Sequence, residues 1–187
     1  LSFNGNKIIT SGNGGMILTN SNKIANRAKY LTSQSKDDSF KYIHNEVGYN
    51  YRLSNLSASI GLSQINKIKN LLISKKKIHQ YYFHEISKIK GVNLLMNPLH
   101  SDSNNWLNVI KVESSYKYSI NYLIKRFNQN QIEVRPVWFA NHLQKHLKKF
   151  QKYKINRTTK LIKKSLCLPS SSLLTQKNLD KIINCLK

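Results

Sequence analysis

Negative charge is scarce in this chain. Of its 187 residues only eight are Asp or Glu, against 31 Lys and Arg, and the formal net charge is +23. The shortage leaves His79, His84, His100 and His146 without carboxylates at ligand spacing, so no metal site is expected. Cysteine is scarcer still. Cys167 and Cys185 stand 18 positions apart, which is neither a metal spacing nor a disulfide framework, and both are expected as reduced, packed thiols. No apolar run approaches the ~20 residues of a membrane-spanning helix, and Leu1 to Thr10 lacks the apolar core of a secretory leader. A cytoplasmic protein without membrane contact is the expectation. Arginine is also sparse: Arg27, Arg52, Arg126, Arg135 and Arg157 are the only five of the 31 cations. Yet arginine is the residue that reads phosphate and guanine bidentately. Lysine scattered among abundant Asn and Ile is what an AT-rich genome writes at permissive surface positions. Nucleic acid is therefore not the expected partner, and a small basic polyanion-binding protein stands as the alternative reading.

What is present describes an ordinary globular chain. A hydrophobic fraction of 40% and ten tyrosines argue against disorder. Ile8–Thr10 and Met16–Thr19 read as two short strands around the turn Gly12-Asn13-Gly14-Gly15. Asn20-Ser21 can cap a helix from Asn22 to Leu31. Thr32 to Arg52 has little periodicity and reads as a long ordered loop, a class that is usually functional. Ser54 can cap a second helix, whose pattern from Leu56 to Ile89 is too long for one average helix and predicts a break within 66–74; Gly91 stops it. Beyond it, Trp106–Val112 reads as a strand, Tyr118–Asn130 as a helix and Ile132–Val137 as a strand. A basic, His-containing stretch runs from Asn141 to Lys154, and Thr175 caps a last helix. The order predicts a small α/β sandwich.

Two clusters carry chemistry. Ser2-Phe3-Asn4-Gly5-Asn6-Lys7 sets a lysine beside the glycine turn, where partial desolvation would make it a nucleophile toward a carbonyl. Gly48-Tyr49-Asn50-Tyr51-Arg52-Leu53 sets an amide and a guanidinium just before a helix N-terminus, a combination that can hold phosphate. Taken singly, they read rather as a surface lysine and a polar loop.

Together, and in this order with Gly14-Gly15-Met16-Ile17 between them, the two clusters closely resemble the DegT family. These are nucleotide-sugar aminotransferases of the fold-type I pyridoxal-phosphate enzymes. Tyr30-Leu31-Thr32-Ser33-Gln34-Ser35-Lys36-Asp37-Asp38, His44-Asn45-Glu46-Val47, Asn105-Trp106-Leu107 and Arg135-Pro136-Val137-Trp138 extend the likeness. They point to the branch that aminates UDP-linked 4-keto-6-deoxy sugars, as in bacillosamine- and legionaminic-acid-type pathways. The resemblance implies an α/β fold: the C-terminal part of the large cofactor-binding domain over residues 1–68, and a small α/β domain over 69–187. It implies pyridoxal 5′-phosphate as cofactor, glutamate as amino donor, a nucleotide-sugar acceptor and a homodimer. Lys7 would be the lysine joined to the cofactor, Ser2 would bind its phosphate, and Asn50 would reach that phosphate from the partner subunit. Arg52 and His142 would lie toward the substrate.

The likeness also implies that the chain corresponds to the C-terminal half of such an enzyme. The upstream half would supply the phosphate loop, the ring-stacking aromatic and the acid that pairs with the pyridine nitrogen; no Asp or Glu here matches that acid. A non-catalytic remnant of the family is thus a further reading. Residues 1–65 would have apolar faces without partners and form the weaker part, whereas 69–187 could fold alone.

Overall fold

The computed structural model describes residues 1–187, and they divide into two compact units, Leu1–Asn70 and Leu71–Lys187. Every buried apolar side chain of the protein belongs to the second unit.

In that second unit α3 (Ile68–Ile86), which begins just before the division, leads into the hairpin of β1 (Val92–Leu94) and β2 (Asn108–Val112). Then follow α4 (Ile120–Gln129), β3 (Arg135–Pro136), α5 (Asn156–Lys163), β4 (Ser165–Leu168) and α6 (Gln176–Asn184). The sheet is wholly antiparallel in the order β1-β2-β4-β3. Helix α3 contributes Ile78, Tyr82 and Ile86 at spacings of four, so one stripe faces inward. Leu123 and Phe127 of α4, and Leu179, Ile182 and Ile183 of α6, join them against Val92, Ile110, Val112, Leu166 and Leu168 of the sheet. Each such side chain, moved wholly out of water, contributes roughly 1.5–3 kcal/mol. The Tyr82 hydroxyl, buried with its ring, donates to the Pro169 carbonyl at 2.7 Å, and burial raises its pKa well above the ordinary value.

Helix ends follow their capping residues. Ser21, Ser54 and Ser119 accept from the third residue on, and Thr175 forms a reciprocal capping box with Asn178. The predicted break falls at Asn66–Lys67, between α2 (Asn55–Ile65) and α3. Gly91 ends the stretch at φ +84°, with Tyr116 so close that a β-carbon would lie 2.9 Å from its side chain. Cys167 and Cys185 are free and buried. No helix is long and apolar enough to cross a membrane.

In the second unit one expected strand is corrected and two unforeseen elements appear. The strand expected over Ile132–Val137 shrinks to Arg135–Pro136 at the sheet edge, because Gln131 turns the chain at φ +58° and Pro136 has no N–H to give. Strand β4 carries no alternation, since all four of its residues are buried, and the periodicity missed it. Helix α5 lies just beyond the basic stretch of 141–154, where no element is expected.

Lys75, one of the run Lys75-Lys76-Lys77, is buried rather than solvated. Its ammonium donates to the carbonyls of Trp106 (2.9 Å) and Ser170, with no carboxylate against it. Burial holds its pKa below the ordinary 10.5. The unfolded chain thus keeps this proton at pH values where the folded chain has released it, so stability rises with pH up to about 10.5 and then levels off. In urea melts from neutral pH upward, the stability of the natural protein minus that of Lys75→Met should climb across this window. A difference that stays flat would mean that the ammonium is not desolvated.

Candidate active site

The first unit is built on loops that are pinned by hydrogen bonds. Leu1–Phe3 and Gly14–Met16 run antiparallel: Phe3 N–H donates to the Gly14 carbonyl at 3.0 Å and Met16 N–H to the Leu1 carbonyl at 3.1 Å. Between them the chain makes a closed excursion that carries Lys7. Ser11 N–H and the Thr10 hydroxyl both donate to the Phe3 carbonyl, at 3.0 and 2.9 Å, and Lys7 N–H donates to Asn4 at 3.0 Å. Ile8–Thr10 was expected to be a strand and is not one. The Gln64 side chain on α2 occupies the place of a strand partner, accepting from Thr10 N–H at 3.0 Å and donating to the Thr10 carbonyl at 2.8 Å. Sequence spacing had shown Gln64 only as one position of a helical pattern. Met16–Thr19 is likewise not a strand.

The glycine turn is obligatory at Gly15, where a β-carbon would fall 2.6 Å from the Leu1 carbonyl oxygen. At Gly14 (φ +84°) the neighbour is Leu53, so the turn and the second cluster meet directly. That second cluster pairs with the chain leaving α1 (Asn22–Thr32). Tyr49 N–H donates to Leu31 at 2.7 Å, Tyr51 N–H to Thr32 at 3.1 Å and Gln34 N–H to Tyr49 at 3.1 Å, which puts Asn50 opposite Ser33. Gln34 and Ser35 both take positive φ to make this return.

The intervening loop is held by its own acids. The Asp37 carboxylate accepts from Asn45 N–H at 2.8 Å and from the Tyr30 hydroxyl at 2.9 Å, and these bonds hold it below the usual carboxylate range. Asp38 accepts from the Phe40 and Lys41 amides at 2.8 and 2.9 Å. Glu46 is held low by a two-pronged pair with Arg27. His44 Nδ1 lies 2.7 Å from the Gln34 carbonyl. These polar groups shape the loop, and none is left over for chemistry.

A cleft of about 630 Å³ opens beside this pairing. Its walls include the glycine turn, Asn50, Arg52 and the first turn of α2, where Ser54 caps. Asn50 and Arg52 are exposed, and Arg52 has no carboxylate partner. The cleft therefore presents an amide, a guanidinium and a helix N-terminus, all of which favour an anion. Ser2 is exposed on the same antiparallel pair as Gly15, and Lys7 is half-buried in the excursion beyond; neither lines the cleft. His142 belongs to the second unit, in a 3₁₀ turn over Asn141–Leu143, with its Nε2 3.2 Å from the Thr159 hydroxyl. Nowhere do three or more His, Cys, Asp or Glu gather as a metal set would.

Comparison with known proteins gives the wider setting. The model of the DegT/DnrJ/EryC1/StrS aminotransferase family matches residues 1–187. The chain is 32% identical over 190 residues to EpsN of Bacillus subtilis, a protein assigned as a pyridoxal phosphate-dependent aminotransferase, covering 99% of this chain and 48% of EpsN. It is 30% identical over 194 residues to the GDP-perosamine synthase of Vibrio cholerae, covering 100% of this chain and 51% of that enzyme. Among solved structures, PseC of Helicobacter pylori, an aminotransferase involved in the biosynthesis of pseudoaminic acid, superposes with a TM-score of 0.88 at 19% identity. That match covers 98% of this chain and 50% of PseC. The architecture is that of the α/β fold-type I transferases. The chain spans about half the length of the curated relatives it matches.

Gly48 is the hinge of the Asn50 pairing. A β-carbon there would fall 2.2 Å from the Gln34 carbonyl carbon and 2.3 Å from the Ser35 nitrogen, both rigid backbone. Gly48→Ala should cost more than about 2 kcal/mol and strip hydrogen-exchange protection from the Tyr49 and Tyr51 amides. Gly61→Ala, whose β-carbon meets only Ser11 at 3.7 Å inside a helix, should instead stabilise by up to about 1 kcal/mol. Equal effects of the two changes would contradict the close packing at Gly48.

Proposed function

The chain belongs to the DegT/DnrJ/EryC1/StrS aminotransferase family, and on that premise we propose that it is the C-terminal part of a pyridoxal-phosphate-dependent sugar aminotransferase. The amino group would pass from glutamate to C4 of a nucleotide-linked 4-keto-6-deoxy sugar, in the cytoplasm, for a surface glycan. The observation that carries this reading is the family match along the whole chain, with Ser2–Lys7 and Gly48–Leu53 in their family order. UDP is the nucleotide proposed, on the motifs of the bacillosamine- and legionaminic-acid-type branch. GDP is the nucleotide named in three relatives, the GDP-perosamine synthases.

The family's cofactor is pyridoxal 5′-phosphate, and the donors of the first unit suit it. Ser2 offers an exposed hydroxyl, Asn50 an exposed amide and Lys7 an amine, with no carboxylate of this loop set unpaired against a phosphate. When bound, the cofactor would supply an electron sink for the carbon next to the transferred nitrogen. Lys7 would hold the cofactor through its Nζ and, once released, carry the proton at that nitrogen as general base and acid. Ser2 Oγ and Asn50 Nδ2 would donate to the phosphate, Asn50 to that of the partner subunit in a homodimer. Arg52, uncompensated at the cleft, and His142 would orient the nucleotide sugar. On this reading residues 1–68 are the C-terminal part of the large domain and 69–187 the small domain. The acid that pairs with the pyridine nitrogen has no candidate here, because the loop carboxylates are engaged by their own chain.

The test is covalent trapping at limiting cofactor, reduction with borohydride and peptide mapping. It should be run on the chain alone and co-expressed with the coding sequence immediately upstream. With 26 lysines competing, 31 basic residues less five arginines, selectivity is the informative readout. The cofactor mass should concentrate on the Lys7 peptide and vanish from it in Lys7→Ala. A label scattered over surface lysines in both settings would sink the assignment of Lys7.

A further inference from the structure

The fold adds a distant lysine to a run of cations that are neighbours in sequence on α5. Lys111 lies far from Arg157, Lys160, Lys163 and Lys164 in the chain, yet pairing of β2 with β4 sets Lys111 against Ser165, and Val112 N–H donates to the Lys164 carbonyl at 2.8 Å. The five cations line one cleft of about 640 Å³, whose single carboxylate is Glu113. Five positive charges against one negative leave +4 at the cleft.

We propose that this cleft binds single-stranded nucleic acid through its phosphates. Glu113 is bonded to Lys111 at 2.7 Å, and Lys164 donates to the Ser114 hydroxyl at 2.8 Å, while Arg157, Lys160 and Lys163 have no carboxylate partner. Arg157, Lys160 and Lys164 recur at helical spacing, so the α5 end of the chain presents a row of cations to one side. Such crowding of like charge raises the energy of the free protein and is relieved by a polyanion. The hydrogen bond from Lys111, with the charges of Lys111 and Lys164, also holds the Glu113 carboxyl below its ordinary range.

Glu113, Lys163 and Lys164 also wall a second, adjoining cleft of about 430 Å³ that contains Tyr116 and Tyr118. Tyr118 stacks on Tyr122 at 4.5 Å and 20°, and Tyr122 is exposed. An exposed ring near cations is a platform on which a base can stack without its sequence being read, and Tyr122, outside the two clefts, is that ring. Arg157, Lys160, Lys163 and Lys164 are exposed along the cleft, within reach of the phosphates of a flexible strand. With one arginine among five cations, base reading is not expected.

The experiment is fluorescence anisotropy of a labelled oligothymidylate across a potassium chloride series. Four phosphate contacts on a single strand predict log affinity falling against log salt with a slope of about −3. The triple variant Arg157→Glu/Lys160→Glu/Lys163→Glu should bind at least about tenfold more weakly, with a slope shallower by about 2. Arg157→Gln/Lys160→Gln/Lys163→Gln serves if the first variant loses its circular dichroism. Lys23→Glu/Lys76→Glu/Lys77→Glu makes the same charge change at exposed sites elsewhere. Equal losses in both triples would reduce the effect to net charge and overturn the proposal. So would phosphatidylserine vesicles that bind through these residues while the oligonucleotide does not.

Discussion

The second unit depends on the complete burial of one short strand. Ser165–Leu168 pairs with β2 on one side and β3 on the other, so it closes a sheet that would otherwise be a hairpin and a stray edge. Leu166 and Leu168 point into the core shared by α3, α4 and α6, while Ser165 and Cys167 point the other way and are buried too. A shift of one residue would exchange these two faces and drive a serine into the apolar core, so the register is strongly specified. The Ser165 hydroxyl donates to the Leu161 carbonyl at 2.7 Å, which ties the end of α5 to the strand that follows it. At the other end Ser170 accepts from the Asn108 backbone at 2.9 Å and side chain at 3.0 Å, and its own carbonyl accepts from Lys75.

The first unit is ordered by different means. None of its apolar side chains is buried, and its only buried residues are Ser11 and Ser35. The Ser35 hydroxyl has no partner, which costs stability rather than adding any. Order there comes from backbone pairs, capped helices, the Gln64 amide and glycines at points of backbone contact. Structures of that kind open locally at low free energy. Leu56, Ile60, Leu62 and Ile65 of α2, with Met16, Ile17 and Leu18, are all exposed. An apolar surface so extensive is characteristic of an interface. The proposed catalytic lysine and phosphate ligands thus belong to the unit least able to fix them unaided, and the covering of these side chains matters to the chemistry as much as the lysine does.

What could be read beforehand was what neighbouring residues decide. Ser21, Ser54 and Thr175 announce helices because the capping bond forms within one turn, and Gly91 announces an end because glycine takes φ +84° at no steric cost. The motif order around Lys7 and Asn50 is likewise written in consecutive residues. What could not be read was decided by distant partners. Strand β4 has no periodicity because both its faces are covered by elements far away in the chain. Gln64 looks like any polar helical position until the Thr10 backbone is placed against it. Ile8–Thr10 has strand-forming residues and no strand to pair with.

Lysine shows the same limit from the opposite side. Composition treats all such residues alike, as a solvated and dispersed charge. The fold sorts them into kinds that differ in free energy. Lys76 and Lys77 are exposed, while their neighbour Lys75 is dehydrated beneath two carbonyls. Lys111 reaches α5 only because β2 and β4 pair in the register they do. A solitary charge in water repels little, whereas like charges set side by side repel one another unless something anionic shares the space. Composition does not select which lysine the β2–β4 register brings to α5. That selection is a property of the sheet, and it is where a physical demand for a partner arises.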